Sequence, residues 1–190
     1  MILGVEANMD LQYAQGRLVG TYNGNRVDIE LDGPAHRARV SGIFAGLPMS
    51  VNWRLGGSSS QHHSTLHGRF ADSTLTLTGE FHINGSIVQS ASLSGRFAGV
   101  PIEAVIEAAD GGLSDYRTVA IDGDFAGTRF ALFATIGHMT GNIVAGTIDN
   151  IPVRVDAKVQ APDGPTNVTG SYHGPEALLA LIVGTLLFFC

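Results

Sequence analysis

The chain is poor in charge, cysteine, lysine and tryptophan, and these shortages narrow what it can be. Of its 190 residues, 15 % are charged, against roughly 25 % in an ordinary soluble domain. The single cysteine, Cys190, allows no disulfide within the chain. Lys158 is the only lysine, and the net charge is −6. Because no basic patch is present to release counterions, we expect no nucleic-acid partner.

Sequence motifs of the common enzyme classes are absent as well. The chain has no Gly-x-Ser-x-Gly elbow, phosphate-binding loop, dinucleotide fingerprint or paired-cysteine zinc motif. Its first residues lack a basic region and a long apolar run, so no secretory signal is predicted. We therefore expect a protein without enzymatic activity and without a cofactor.

Glycine, by contrast, is abundant, and much of it belongs to a repeat. The segments SGIFAGLPM (41–49), SGRFAGVPI (94–102) and DGDFAGTRF (122–130) are copies of one pattern, and four weaker copies occur elsewhere. The leading glycines recur every 22 to 28 residues and define seven units, numbered 1 to 7 in chain order: Gly20, Gly42, Gly68, Gly95, Gly123, Gly146 and Gly170. A regular recurrence of this kind is typical of tandem structural repeats.

Each of units 1 to 6 contains a two-residue corner directly after an apolar or aromatic residue. The corners are Asn23-Gly24, Ala45-Gly46, Ala71-Asp72, Ala98-Gly99, Ala126-Gly127 and Asp149-Asn150. Two-residue hairpins require positive φ, which glycine, asparagine and aspartate tolerate best. Alanine is less suited to the first corner position, so longer loops are an alternative at those corners.

The residues after each corner alternate between apolar and polar. Val27, Ile29 and Leu31, for example, alternate with Asp28 and Glu30. This period of two predicts strands with one dry and one wet face. We predict an all-β antiparallel meander of about seven hairpins, spanning residues 1–174 and forming a barrel or curled sheet; a large open sheet would curl or close. An elongated stack of hairpins is the alternative.

Residues 175–190 form a separate apolar segment, PEALLALIVGTLLFFC, with no charge after Glu176. Pro175 favours a helix start, but the segment could also be the last strand of unit 7. About fourteen helical residues rise only about 21 Å, short of a roughly 30 Å hydrocarbon core. We expect the segment to be buried within the protein or an oligomer, or to contact a membrane; a tail disordered in solution is the third alternative. The predicted contact residues are Leu178, Leu179, Leu181, Ile182, Leu186, Leu187, Phe188 and Phe189.

Polar side chains suitable for chemistry are few. We predict no metal site; the residues that come closest to one are His63 and His67, which would share one face of a strand. The acidic rows after the corners of units 1 and 4 are expected to lie on solvated faces. Trp53 is expected to pack in the core or at a barrel mouth.

Two functions of different classes remain open. The first is a structural or interaction protein that docks through residues 175–190 to a protein partner, to another copy or to a membrane. The second is a barrel that binds a small apolar ligand or lipid. The first reading favours a location at a membrane or envelope over the free cytoplasm. An enzyme depending on His63 or His67 is a third and less favoured hypothesis.

Overall fold

The computed structural model is a closed barrel of fourteen antiparallel strands with one helix near the C-terminus. It describes residues 7–34, 36–58, 60–84, 87–109, 116–137, 141–160 and 164–188. The elements are β1 (Ala7–Ala14), β2 (Arg17–Tyr22), β3 (Asn25–Asp32), β4 (Arg39–Phe44), β5 (Leu47–Gly57), β6 (Gln61–Phe70), β7 (Ser73–Asn84), β8 (Ile87–Phe97), β9 (Val100–Ala108), β10 (Tyr116–Phe125), β11 (Thr128–Gly137), β12 (Gly141–Ile148), β13 (Ile151–Val159), β14 (Thr166–Tyr172) and α1 (Glu176–Phe188). The predicted meander of hairpins is confirmed, and it closes.

All six predicted corners are two-residue turns, and they gather at one rim of the barrel, here called the corner rim. At five of the corners both residues have positive φ; at the sixth, Ala71 does. The four corner alanines adopt φ between 51° and 54°, so none of these corners needed a longer loop. Positive φ at both positions matches the right-handed twist of the flanking strands.

The leading glycine of each unit lies where the backbone of the preceding strand comes closest. A Cβ added at Gly95 would lie 2.0 Å from the Thr76 carbonyl oxygen, and one at Gly42 would lie 2.1 Å from that of Asp28. The other five leading glycines meet the preceding strand in the same way, at 2.0 to 2.3 Å. Glycine kinks of this kind curve a sheet strongly. The repeat glycine is therefore required by the curvature of the wall.

Two residues after each leading glycine, an inward side chain contributes to a ring at the corner rim. The members of this rim ring are Tyr22, Phe44, Phe70, Phe97, Phe125, Ile148 and Tyr172. Its five aromatic neighbour pairs, from Tyr172 through Tyr22 to Phe125, have ring centroids 5.4 to 6.5 Å apart. Such pairs contribute about 0.5–1.5 kcal/mol beyond their buried area, so the ring ties consecutive units together.

The barrel closes because the first strand of the chain pairs with the last one. In units 1 to 6 the strand that carries the leading glycine pairs with the strand after the corner, and the two form a hairpin. Beside β14 of unit 7 that place is taken by β1, which pairs with both β14 and β2. Leu11 of β1 lies opposite Gly20, as Ile29 lies opposite Gly42. The segment after β14 is thereby excluded from the wall, which explains why it is a helix and not the last strand.

Helix α1 enters the barrel at the corner rim. The Tyr172 hydroxyl donates a hydrogen bond of 2.9 Å to the Pro175 carbonyl oxygen. The four consecutive residues from Ala177 to Ala180 are all buried, and Val183 further along is buried in the same core cluster. Four consecutive residues point to every side of a helix, so the barrel surrounds α1. In the described part of the chain no helix is long and apolar enough to span a bilayer.

The leading glycines are required for close approach to the neighbouring backbone, whereas the corner glycines are required for positive φ. One pair of variants tests this difference. Gly95→Ala should lower the free energy of unfolding by about 3 kcal/mol, because the new methyl group meets the backbone of β7. Gly99→Ala should cost only about 1 kcal/mol, because φ is +82° but no atom lies within 4 Å. Urea unfolding of both variants measures the difference; equal losses would contradict the close-approach explanation.

Candidate functional site

The seven units present equivalent residues to the lumen, so their burial can be compared position by position. Four residues before each rim-ring residue stands an inward apolar side chain: Leu18, Val40, Leu66, Leu93, Ile121, Val144 and Val168. In units 1, 6 and 7 this residue is 2 %, 4 % and 0 % exposed. In units 2 to 5 it is only partly buried. At this level of the barrel the inward residue is therefore fully buried in units 1, 6 and 7 and only partly buried in units 2 to 5.

The position of α1 explains this asymmetry. Among the strands, α1 approaches β12 and β13 most closely. Ala134, Gly146 and Ala157 on this side are small, which allows the helix backbone to come near the wall. We call the inner face of β11 to β14, β1 and β2 the closed wall, and that of β4 to β10 the open wall. The helix packs closest to the closed wall, whereas Val40, Leu66, Leu93 and Ile121 of the open wall are less completely buried.

Apolar side chains line the open wall at mid-strand. Leu66 on β6, Leu77 on β7, Leu93 on β8 and Ile121 on β10 all alternate inward and are partly exposed. On α1, Leu181 and Ile182 are likewise only partly buried. A concave apolar surface with few polar groups is the usual lining of a small-molecule site. We therefore take the space between α1 and the open wall as the candidate functional site.

The few polar groups of this site lie toward the rim opposite the corners, here called the mouth. Every second residue of β6 before the inward Phe70 points inward, and these include Ser64 and His62. Both are partly exposed. Trp53 on β5 is partly buried and lies opposite Leu66 in the strand register. This agrees with the expectation of core or mouth packing for Trp53. The inward position of His62 and the open wall were not predicted, although the same alternation assigns His62 to the inner face.

The two histidines considered as metal ligands, His63 and His67, both lie on the outer face and are exposed. Four residue steps along a strand span about 13 Å, whereas zinc is bound at about 2.0–2.1 Å by each imidazole nitrogen. The two residues are therefore too far apart to share an ion in this register. Among the described residues no group of three or more metal-binding side chains comes together.

The predicted contact residues of the C-terminal segment lie partly in the core. Leu178 and Leu179 are buried in the core cluster, and Leu181 and Ile182 are partly buried and packed against it. Leu186, Leu187 and Phe188 belong to α1, but their side chains are not described, and Phe189 lies outside the described residues. Contact with a partner or membrane stays a prediction, and it would require Leu178 and Leu179 to leave the barrel.

The outer face is polar, and its carboxylates lie where solvated groups were expected. Glu30, Glu103 and Glu107 are exposed. A groove of about 800 Å³ crosses the outer face of β8 to β12 and is lined by polar residues such as Glu103 and Asp122 together with apolar ones such as Val105 and Ala131. Phe133, 55 % exposed, is an apolar exception on β11. None of these carboxylates faces the lumen.

One outer carboxylate has a strongly altered pKa. Arg17 donates to Asp28 from Nε and Nη2, at 2.8 and 3.0 Å, and Arg26 also donates to it. These hydrogen bonds lower the pKa of Asp28 to about 2. At the corner rim, burial raises the pKa of Tyr172 and of Tyr22 above the ordinary value. Both phenols therefore remain neutral where they contact the start of α1.

No protein-family model, no curated protein and no solved structure matches this chain. The function must therefore be argued from the geometry of the site.

The Asp28 ion pairs predict a specific acid sensitivity. Because the pKa of Asp28 is about 2 in the folded chain against an ordinary 3.8, its contribution to stability is present above pH 3.8 and is lost as the pH falls through about 2. Urea unfolding between pH 2 and pH 6 should show this loss in the native chain and a smaller loss in Asp28→Asn. Arg17→Gln should also reduce it, and high salt should weaken it. An unchanged pH profile in Asp28→Asn would refute the assignment.

Proposed function

We propose that the protein is a non-catalytic binding barrel that holds a small apolar ligand in the lumen, between α1 and the open wall. One observation carries the proposal: equivalent inward residues are buried in units 1, 6 and 7 but partly exposed in units 2 to 5. Natural protein interiors are packed to high density, and unfilled apolar space is costly. A ligand that fills this space would restore the packing.

The size of the barrel supports this reading. Eight strands enclose an interior that wall side chains can just fill, whereas larger barrels leave a cavity. A helix with its side chains is about 10–12 Å across, and α1 lies to one side of the lumen. Leu66, Leu77 and Leu93 on the open wall are only partly buried, which supports room for a small ligand between the wall and the helix.

Filling the site from the wall should weaken binding. The native chain should take up the neutral dye Nile red saturably, with a blue shift of its emission. Leu93→Phe places a larger side chain in the free space and should raise the Kd about tenfold, or about 1.4 kcal/mol. Ser94→Phe, the matched control on the outer face of the same strand, should leave the Kd unchanged. Absence of dye uptake by the folded chain, with no ligand found by native mass spectrometry, would overturn the proposal.

Docking through α1 is the second candidate, and the apolar character of the helix favours it. After Glu176 the described helix carries no charged residue, so it has no polar face to present to water. Docking would require Leu178, Leu179 and Val183 to exchange their barrel contacts for contacts with a partner or bilayer. Burial of each such side chain is worth about 1.5–3 kcal/mol, so the partner must replace several kcal/mol of packing.

Truncation distinguishes the two candidates. A chain stopped after Gly174 loses the core contribution of α1, and we expect it to unfold or aggregate while the full chain is a monomer. Light scattering after size exclusion, with circular dichroism, measures both properties. The docking candidate predicts the reverse: the full chain assembles or needs detergent, and the truncated chain is a folded monomer.

A further inference from the structure

We propose that the ligand of the lumen is an anionic amphiphile, a long-chain carboxylate, with its head group at the mouth beside His62 and its chain along the open wall. This inference rests on the proposed function and assigns the chemical class of the ligand. Two observations support it: the identity of the titratable residues that face the lumen, and the positions of these residues in the repeat.

His62 is a nitrogen donor on the inner face of the open wall. It stands four residues before Leu66 on β6, with Ser64 between them on the same face. Its register partners are Gly57 on β5 and Phe81 on β7, and neither is charged. An anionic group at this level would meet an imidazole and a hydroxyl, which are both hydrogen-bond donors.

No carboxylate competes for these donors on the described inner face below the rim ring. The nearby acidic residues alternate outward: Glu80 on β7 lies opposite His63, and Glu107 on β9 is exposed. Asp10 of β1 alternates outward between the buried Met9 and Leu11. Among the described inward residues of the open wall, an anionic head group would therefore meet hydrogen-bond donors and no carboxylate, whereas a cationic head group would meet no carboxylate as a partner.

Eight residues before the rim-ring residue, the sequence repeat has a basic residue in three of the four units that contribute to the open wall. Eight residues before the rim-ring residue, unit 3 has His62, unit 2 has His36 and unit 5 has Arg117, while unit 4 has Gln89. The backbone carbonyl of His36 accepts a hydrogen bond from Leu55 and thus extends the strand ladder of β4 to the mouth. The equivalent residues of units 1, 6 and 7 are Ala14, Thr140 and Gly164. Of these basic residues, the structure describes the side chains of His62, which is partly buried, and His36, which is exposed.

Ligands of equal chain length and different head group test the inference. Dodecanoate, dodecanol and dodecyltrimethylammonium would be titrated into the full chain below their micelle concentrations. Trp53, the only tryptophan, lies beside the open wall and reports binding by its fluorescence. We expect dodecanoate to bind about tenfold more tightly than dodecanol, because hydrogen bonds to an ionised acceptor are the stronger ones. Dodecyltrimethylammonium should bind most weakly.

Two variants on neighbouring residues assign the effect to the mouth. His62→Gln should weaken dodecanoate about tenfold and leave dodecanol unchanged. His63→Gln, on the outer face of the same strand, should change neither. Equal affinities for dodecanoate and dodecanol, or equal losses in both variants, would overturn the head-group inference while leaving an apolar site. Failure of all three ligands and of Nile red would overturn the proposed function itself.

Discussion

The structure depends on the close contact between each leading glycine and the backbone of the strand before it. At these seven positions a Cβ would collide with a carbonyl oxygen, so only glycine allows neighbouring strands to approach and the wall to bend. The same bend brings the next inward residue of each unit to the corner rim, where six aromatic side chains and Ile148 form the rim ring. Curvature, closure and the ring that surrounds the start of α1 thus have one physical origin.

Closure by β1 has a consequence for the C-terminal segment. Since β1 supplies the strand that unit 7 lacks, no hydrogen-bonding edge remains in the barrel for residues after β14. The apolar segment then has one protein environment available, the lumen, which the wall side chains of a fourteen-stranded barrel do not fill. Its lack of a polar face, which excludes an ordinary surface helix, suits a helix that the barrel surrounds.

Much of this fold could be predicted from the sequence, because the repeat, the corner residues and the alternation are all local signals. The partners of β1 could not, because Met9 and Leu11 resemble any other inward pair and closure joins residues far apart in the chain. The choice of helix for residues 175–190 follows from that closure and was left open for the same reason. The incomplete burial of the open-wall residues depends on the position of α1, which local sequence patterns do not specify. The inward position of His62 was within reach of sequence reasoning, since alternation from Phe70 requires it, but the adjacent His63 and His67 offered a more familiar metal-binding pattern.

The two candidate functions are linked thermodynamically, because they compete for the same helix. A ligand between α1 and the open wall binds the state in which the helix is inside and stabilises it by RT ln(1 + [L]/Kd), about 2.7 kcal/mol at a hundredfold excess over Kd. A partner that binds the helix outside the barrel favours the opposite state. By reciprocity, each must weaken the binding of the other by the same factor. Leu181 and Ile182, which belong to the helix and are only partly buried against the core, are where this competition would act. A barrel built in this way would release its ligand when the helix is withdrawn, so ligand storage and docking are opposed states of one equilibrium.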